Sequence, residues 1–290
     1  MLWLYLSLAT AFLVATSDTL TKKFFSHLSP HEMAVSISVY SLPFTIITFP
    51  FVSIPPLDFN FWKIFITIMP FEVAAFLLYM KAIKLSPLSL SIPFLAFTPV
   101  FMIVTGFSIL GEMPSMGGIG GVVLILAGGY VIQADKISDG YLGPFRAIVK
   151  EPGSRLMLLI SFLYASLAVL GKKAILLSSP LFFGLFYLAI TNCAIIVICP
   201  LLTKIRWDNI LCKPRLWQGL LVGLLQLLQC VCHVSAVVMV EAIYMVAVKR
   251  ISILITVIYG WAILKEVKIT QRLAGSFLMF IGVVCIVLLK

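Results

Sequence analysis

Apolar residues run through this chain in long stretches that neither alternate as in a half-exposed strand nor form the one-sided stripe of a surface helix. Crossing about 30 Å of hydrocarbon takes about 20 helical residues, and ten stretches qualify. They cover 3–22, 32–53, 62–80, 87–110 and 116–133, then 155–174, 181–203, 215–239, 241–263 and 270–289. In lipid each backbone N–H and C=O must be satisfied within its own segment or around a closed barrel. Unalternating runs exclude the barrel, so the pattern predicts an all-α membrane protein with ten transmembrane helices. The opening segment MLWLYLSLATAFLVATSD has no basic stretch before its apolar run and no small-residue cleavage site, and is read as the first span.

The longest polar stretch, QADKISDGYLGPFRAIVKEPG, lies midway and is rich in Gly, Pro and mixed charge, which marks a linker over 134–153. On either side the sequence repeats itself. TLTKKFFSHLSP (Thr19 to Pro30) aligns with VLGKKAILLSSP (Val169 to Pro180) at an offset of 150. At an offset of 154, Ala82, Gly106, Glu112, Gly121 and Gly128 fall on Ala236, Gly260, Glu266, Gly275 and Gly282. The matches are collinear, so two five-span units are expected, 1–133 and 154–290. Five is odd, and the second unit therefore enters the membrane from the opposite side: two inverted five-helix repeats. Such repeats place a binding site near the midplane and allow alternating access by rocking one against the other.

Composition agrees, with 62% hydrophobic and 11% charged residues and a mean hydropathy of +1.15. The net charge of +10 would suggest nucleic acid in a soluble protein, but here most basic residues sit at the ends of apolar runs and set topology. No nucleic-acid partner is expected. The six cysteines (Cys193, Cys199, Cys212, Cys230, Cys232, Cys285) show neither CxxC nor His-rich metal spacing and read as small apolar fillers. No cofactor or metal is implied. HExxH, GxSxG and GxxxxGKS are all absent, which argues against an enzyme and against ATP-driven pumping.

Each half contains a span closing in Gly-Glu or Lys-Glu (Gly111-Glu112, Lys265-Glu266) followed by a glycine-spaced final span. This pattern resembles the drug/metabolite transporter superfamily, with two EamA-type repeats over nearly the whole chain. The segment VAVKRISILITVIYGWAILKE is the most specific piece, and its Lys249-Arg250 pair also resembles the plastid triose-phosphate translocators, in which such a pair holds the substrate's phosphate. Those translocators carry a further lysine four residues before a Pro-Val-Phe. Pro99-Val100-Phe101 is present here, but that position is Leu95. The resemblance thus implies a cationic substrate contact at Lys249 and Arg250, with a carboxylate or less charged anion fitting better than phosphate.

Ionisable groups near mid-bilayer are costly and by default functional. Lys249 and Arg250 lie about nine residues, roughly 12–14 Å, into the ninth span, and successive helix positions diverge by about 100°, so both can serve one ligand only at a cavity edge. Glu72 follows Pro70 midway along the third span, where a bend is expected. It reads as a counter-ion to the pair or as a proton carrier. Gln226, Gln229 and His233 recur at three and four residues, forming a stripe for the cavity or for interhelical hydrogen bonds. Tyr244 and Thr98 complete the candidate substrate-binding set. Asp18 joins Glu72 and His233 as a candidate for proton coupling, although a rim ion pair with Lys22, four residues on, is the favoured reading. Pro93 and Pro99 are candidate bending points, and Glu112 and Glu266 read as interfacial and structural.

Loops after odd-numbered spans hold fifteen Lys and Arg, from Lys22 to Arg272, against four (Lys63, Lys172, Lys173 and Lys290) in even loops and at the C-terminus. The positive-inside rule makes the odd loops cytoplasmic and both termini external, whereas the family resemblance implies internal termini. The expected protein is a multi-pass transporter of a prokaryotic inner membrane, whose partners are the lipid bilayer and a small-molecule substrate. That substrate is an anionic or zwitterionic metabolite such as an amino acid, a carboxylate or a phosphorylated compound. A monomer is expected, with a dimer as the alternative. A flippase for a lipid-linked substrate and a proton-coupled nutrient importer are the competing functions.

Overall fold

The computed structural model describes residues 1–103, 116–211, 216–240 and 242–288. It is all-helical, with no strand among the described residues. Ten membrane helices follow in order: α1 (Leu2–Phe25), α2 (Pro30–Thr48), α3 (Phe59–Leu85), α4 (Leu88–Ile103), α5 (Met116–Ile132), α6 (Pro152–Leu176), α7 (Pro180–Leu202), α8 (Leu216–Val237), α9 (Ala242–Ala262) and α10 (Ile269–Leu288). Eight are long and apolar enough to cross a bilayer; the described parts of α4 and α5 are shorter apolar helices. The expected end of the fourth span, with Gly106, Gly111 and Glu112, lies outside the described residues.

Helix starts follow local chemistry. Before α2, the Ser29 hydroxyl accepts from the Glu32 N–H at 3.3 Å while the Glu32 carboxylate accepts from the Ser29 N–H at 2.9 Å, a reciprocal capping box with Pro30 at the first helical position. Asp58 caps α3 through the Phe61 N–H at 2.8 Å, and Glu151 caps α6 through the Ser154 N–H at 2.5 Å. Two helices are interrupted. In α4 a tighter 3-10 segment, Ile92–Phe97, begins where Pro93 lacks the N–H that would continue the α ladder. In α9 the regular helix breaks at Arg250, between Ala242–Lys249 and Ile251–Ala262. The repeat offset carries Ala96 onto Arg250, so corresponding helices of the two halves are discontinuous at corresponding places.

The halves interlock. α1 packs on α8 and α9, and its counterpart α6 packs on α3 and α4, while α2 meets α7 and α5 meets α10. Two bundles result, α1–α8–α9 and α3–α4–α6, each drawing helices from both halves. The α5–α10 contact is antiparallel and reciprocal: a Cβ on Gly121 would meet the Gly282 carbonyl, one on Gly282 the Gly121 carbonyl, and Gly128 and Gly275 face each other likewise. Helices this close need glycine at the crossing. Phe61 and Phe65 stack on each other, as do Phe182 and Phe186, and the two pairs meet at tilted angles where the start of α3 meets the start of α7.

The linker differs from a plain polar loop. It holds a 3-10 segment, Ala134–Asp139, and an eight-residue helix, Gly143–Lys150, with Pro144 in its first turn and Pro144 and Ile148 turned into the protein. Eight residues are too short for a periodic pattern to show in sequence.

Candidate functional site

Between the two bundles lies a cavity of about 280 Å³. Helices that end an odd-numbered span define one face of the protein, the odd face; the other is the even face. The cavity reaches Thr21, Met80 and Ile92 on the odd side and, on the even side, the later parts of α6 (Tyr164 to Ile175) and α8 (Gln226 to Val237) and the start of α7 (Phe183 to Leu188), so it spans the middle and extends further toward the even face.

Lys249 and Arg250 both line it. The break in α9 sits at the pair, where the Arg250 N–H is shared between the carbonyls of Val246 (3.1 Å) and Ala247 (3.0 Å). Arg250 is 5% exposed, and its Nη2 donates to the Thr98 hydroxyl at 2.5 Å across the cavity, just after the 3-10 segment of α4. Its Nε has no hydrogen-bond partner. Among the described residues the ion pairs are Lys268–Asp135 and Arg272–Glu266, neither of them in the cavity, so the buried guanidinium has no carboxylate of a described residue within 4.0 Å.

Two carboxylates share the chamber. Asp18 accepts from the Tyr79 hydroxyl at 2.6 Å, and Glu72 lines the wall with Tyr187. The expected rim pair of Asp18 with Lys22 does not form. Asp18 is 8% exposed and faces the cavity, whereas Lys22 reaches past the end of α1 to the Ser86 carbonyl. Gln226, Gln229 and His233 also face the cavity; Gln229 donates to Gln226 at 2.5 Å on its own helix, and the His233 Nδ1 is buried without a partner. Tyr244 does not line the cavity and packs against the main hydrophobic core.

Sequence reasoning passed over Tyr79, Tyr164, Tyr187, Cys230 and Lys172, all of which line the cavity. A signal existed for Tyr79: it lies seven residues after Glu72, on the same helix face, and its repeat counterpart is His233. Cys230, half-buried, donates to the Gly184 carbonyl at 3.3 Å.

The odd face is closed by a polar knot. Glu266 accepts from the N–H groups of Leu88 (2.7 Å) and Ser89 (2.9 Å) and from the Ser89 hydroxyl, capping α4 from the other bundle. Lys265, at φ 59°, reverses the chain so that Glu266 points back. Arg272 donates to the Ser89 hydroxyl at 2.6 Å and lies 3.6 Å from Glu266. Beside them Lys22 donates to the Ser86 carbonyl, and the Ser86 hydroxyl bonds Glu151. Outside the membrane helices, the Lys268 ammonium holds the Asp135 carboxyl below its ordinary range.

A bundle of ten membrane helices with two interrupted helices facing a charged central chamber is the architecture of a membrane transport protein. The chain belongs to the EamA-like transporter family, whose model matches residues 1–133 and 152–288, and with it to the drug/metabolite transporter superfamily. Members of that family are transporters rather than enzymes. No curated protein matches the chain in sequence. A solved structure, described only as a crystal structure of a protein, superposes with a TM-score of 0.62 at 12% identity, covering 99% of this chain and 95% of that one, a likeness of fold alone.

Proposed function

We propose that this chain is a secondary active transporter that works by alternating access and moves a small organic metabolite bearing a negative group, either an anion or a zwitterion. Lys249 and Arg250 hold that group, while Glu72 and Asp18 balance the cations and meet any positive group of the substrate. The carrying observation is the buried Arg250 guanidinium, whose Nη2 has a neutral hydroxyl partner and whose Nε has none. A buried guanidinium with no carboxylate hydrogen-bonded to it is costly, and an arriving carboxylate or phosphate offers the two-oxygen match a guanidinium prefers.

The chain is built from two repeats, 1–133 and 154–290, joined by the linker 134–153. It acts as a monomer in a prokaryotic cytoplasmic membrane, with the lysine-rich odd face inside. The test is flux of carboxylates and amino acids into proteoliposomes. Lys249→Ala/Arg250→Ala abolishes it while the protein stays monodisperse; full flux in that variant overturns the reading. A lipid-linked substrate presented in the same vesicles distinguishes a flippase.

A further inference from the structure

Contacts between the bundles occur at three levels. In the middle Asp18 meets Tyr79 and Arg250 meets Thr98. At the odd face Lys22 of α1 reaches the Ser86 carbonyl, in the turn between α3 and α4. At the even face Lys172 of α6 reaches the Val240 carbonyl, between α8 and α9, at 2.7 Å. Lys22 and Lys172 are counterparts at the 150 offset, and Ser86 and Val240 at the 154 offset. Each lysine therefore makes the bond its counterpart makes, at the opposite face. Because α1 packs with α8 and α9, and α6 with α3 and α4, each bond crosses from one bundle to the other.

We propose that Lys22 and Lys172 are the two gate latches of the transport cycle, Lys22 closing the odd mouth and Lys172 the even one. This rests on the alternating-access reading above. Both lysines are half-buried beside helix-terminal carbonyls, where an ammonium meets unsatisfied acceptors and the negative end of the helix dipole. A mouth cannot open without parting the bundles there, so its latch must break in every cycle. A lysine suits this, since its flexible stem and rotatable donors let it exchange a carbonyl for water. Both bonds are made, so both mouths are latched in this conformation. The odd latch is reinforced by the Glu266–Arg272–Ser89 knot beside it, and the cavity extends further toward the even face.

Cys230 lines the cavity and supplies the reporter. In full-length protein with Cys193, Cys199, Cys212, Cys232 and Cys285 replaced by serine, a membrane-impermeant maleimide is applied from one face of oriented proteoliposomes at a time. The starting protein labels faster from the even face. Lys22→Met raises labelling from the odd face on the order of tenfold, as expected for losing one charge-assisted bond in a two-state equilibrium, and Lys172→Met shifts the ratio the other way. Lys22→Arg, which keeps a donor, leaves the ratio within about twofold. Ratios unchanged in both methionine variants, or shifted in the same direction, overturn the proposal. Failure of both Lys22→Met and Lys22→Gln to fold assigns Lys22 to stability and overturns it as well. Labelling needs no substrate, so the latch can fail while anion transport stands, and the reverse.

Discussion

Arg250 and Thr98 join the two interrupted helices of the transporter across its chamber, the Arg250 Nη2 donating to the Thr98 hydroxyl at 2.5 Å. They belong to opposite bundles and to opposite halves of the chain. The bond orients the guanidinium while leaving Nε unused. Replacing Thr98 by valine keeps the volume and removes the acceptor. Hydrogen bonds to charged groups contribute about 1.5–3 kcal/mol, so Thr98→Val is expected to raise the concentration for half-maximal flux about tenfold or more, and Thr98→Ser to preserve it. Concentration-dependent uptake in proteoliposomes measures both. An unchanged Thr98→Val would remove Thr98 from the positioning of Arg250.

The α5–α10 crossing makes a prediction about stability that owes nothing to transport. A Cβ on Gly121 would lie 2.5 Å from the Gly282 carbonyl oxygen, whereas one on the adjacent Gly120 would meet nothing within 4 Å. Backbone cannot step aside as a side chain can, so Gly121→Ala must part the helices. The expected cost is about 1–3 kcal/mol by analogy with overpacked cores, with Gly120→Ala near neutral. Thermal unfolding of the two variants in detergent decides it, and equal midpoints would contradict the close approach.

Glu266 was legible in sequence as an interfacial structural residue, and its partners give that role an energy. Its carboxylate caps α4 and neutralises the buried Arg272 guanidinium. Glu266→Ala leaves two N–H groups without a partner and a buried cation without its counter-ion, a loss of about 3–5 kcal/mol by comparison with broken buried pairs. Glu266→Ala/Arg272→Met removes the orphaned charge and is expected to recover part of the loss. Thermal unfolding of the two singles and the double closes the cycle; additive effects would show that the two groups act independently.

The ten helices were legible because lipid allows the backbone few solutions, and long apolar runs state the choice directly. The repeat was legible too, and its offsets pair the glycines at the α5–α10 crossing. Much of the chamber was not. Tyr164, Tyr187 and Cys230 stand in apolar runs where aromatic and sulfur side chains ordinarily fill space, and only the third dimension turns them inward. Lys172 sits near a helix end and counts as a topological charge until its bond to Val240 is seen. The break at Arg250 has no proline or glycine to announce it. Asp18 misled for a different reason: the four-residue spacing to Lys22 is a sound local rule, overridden here by a tyrosine sixty-one residues away.

The pairing of Asp135 with Lys268 ties the linker to the turn between α9 and α10, and it is pH-dependent. The Lys268 ammonium, chiefly, holds the Asp135 carboxyl below its value of 3.8 in the unfolded chain. A carboxyl depressed by folding contributes stability that is fully present above the unfolded value and is lost as pH falls through the folded one. The side chains are 26% and 51% exposed, so water and salt screen the pair and its contribution is under about 1 kcal/mol. Asp135→Asn is therefore expected to lower the unfolding midpoint slightly at pH 7 and in low salt. The difference should shrink below about pH 4 and in high salt. Thermal unfolding of both proteins at pH 7 and pH 3.5 measures it, and a difference undiminished at the lower pH would show that the charge of Asp135 is not its source.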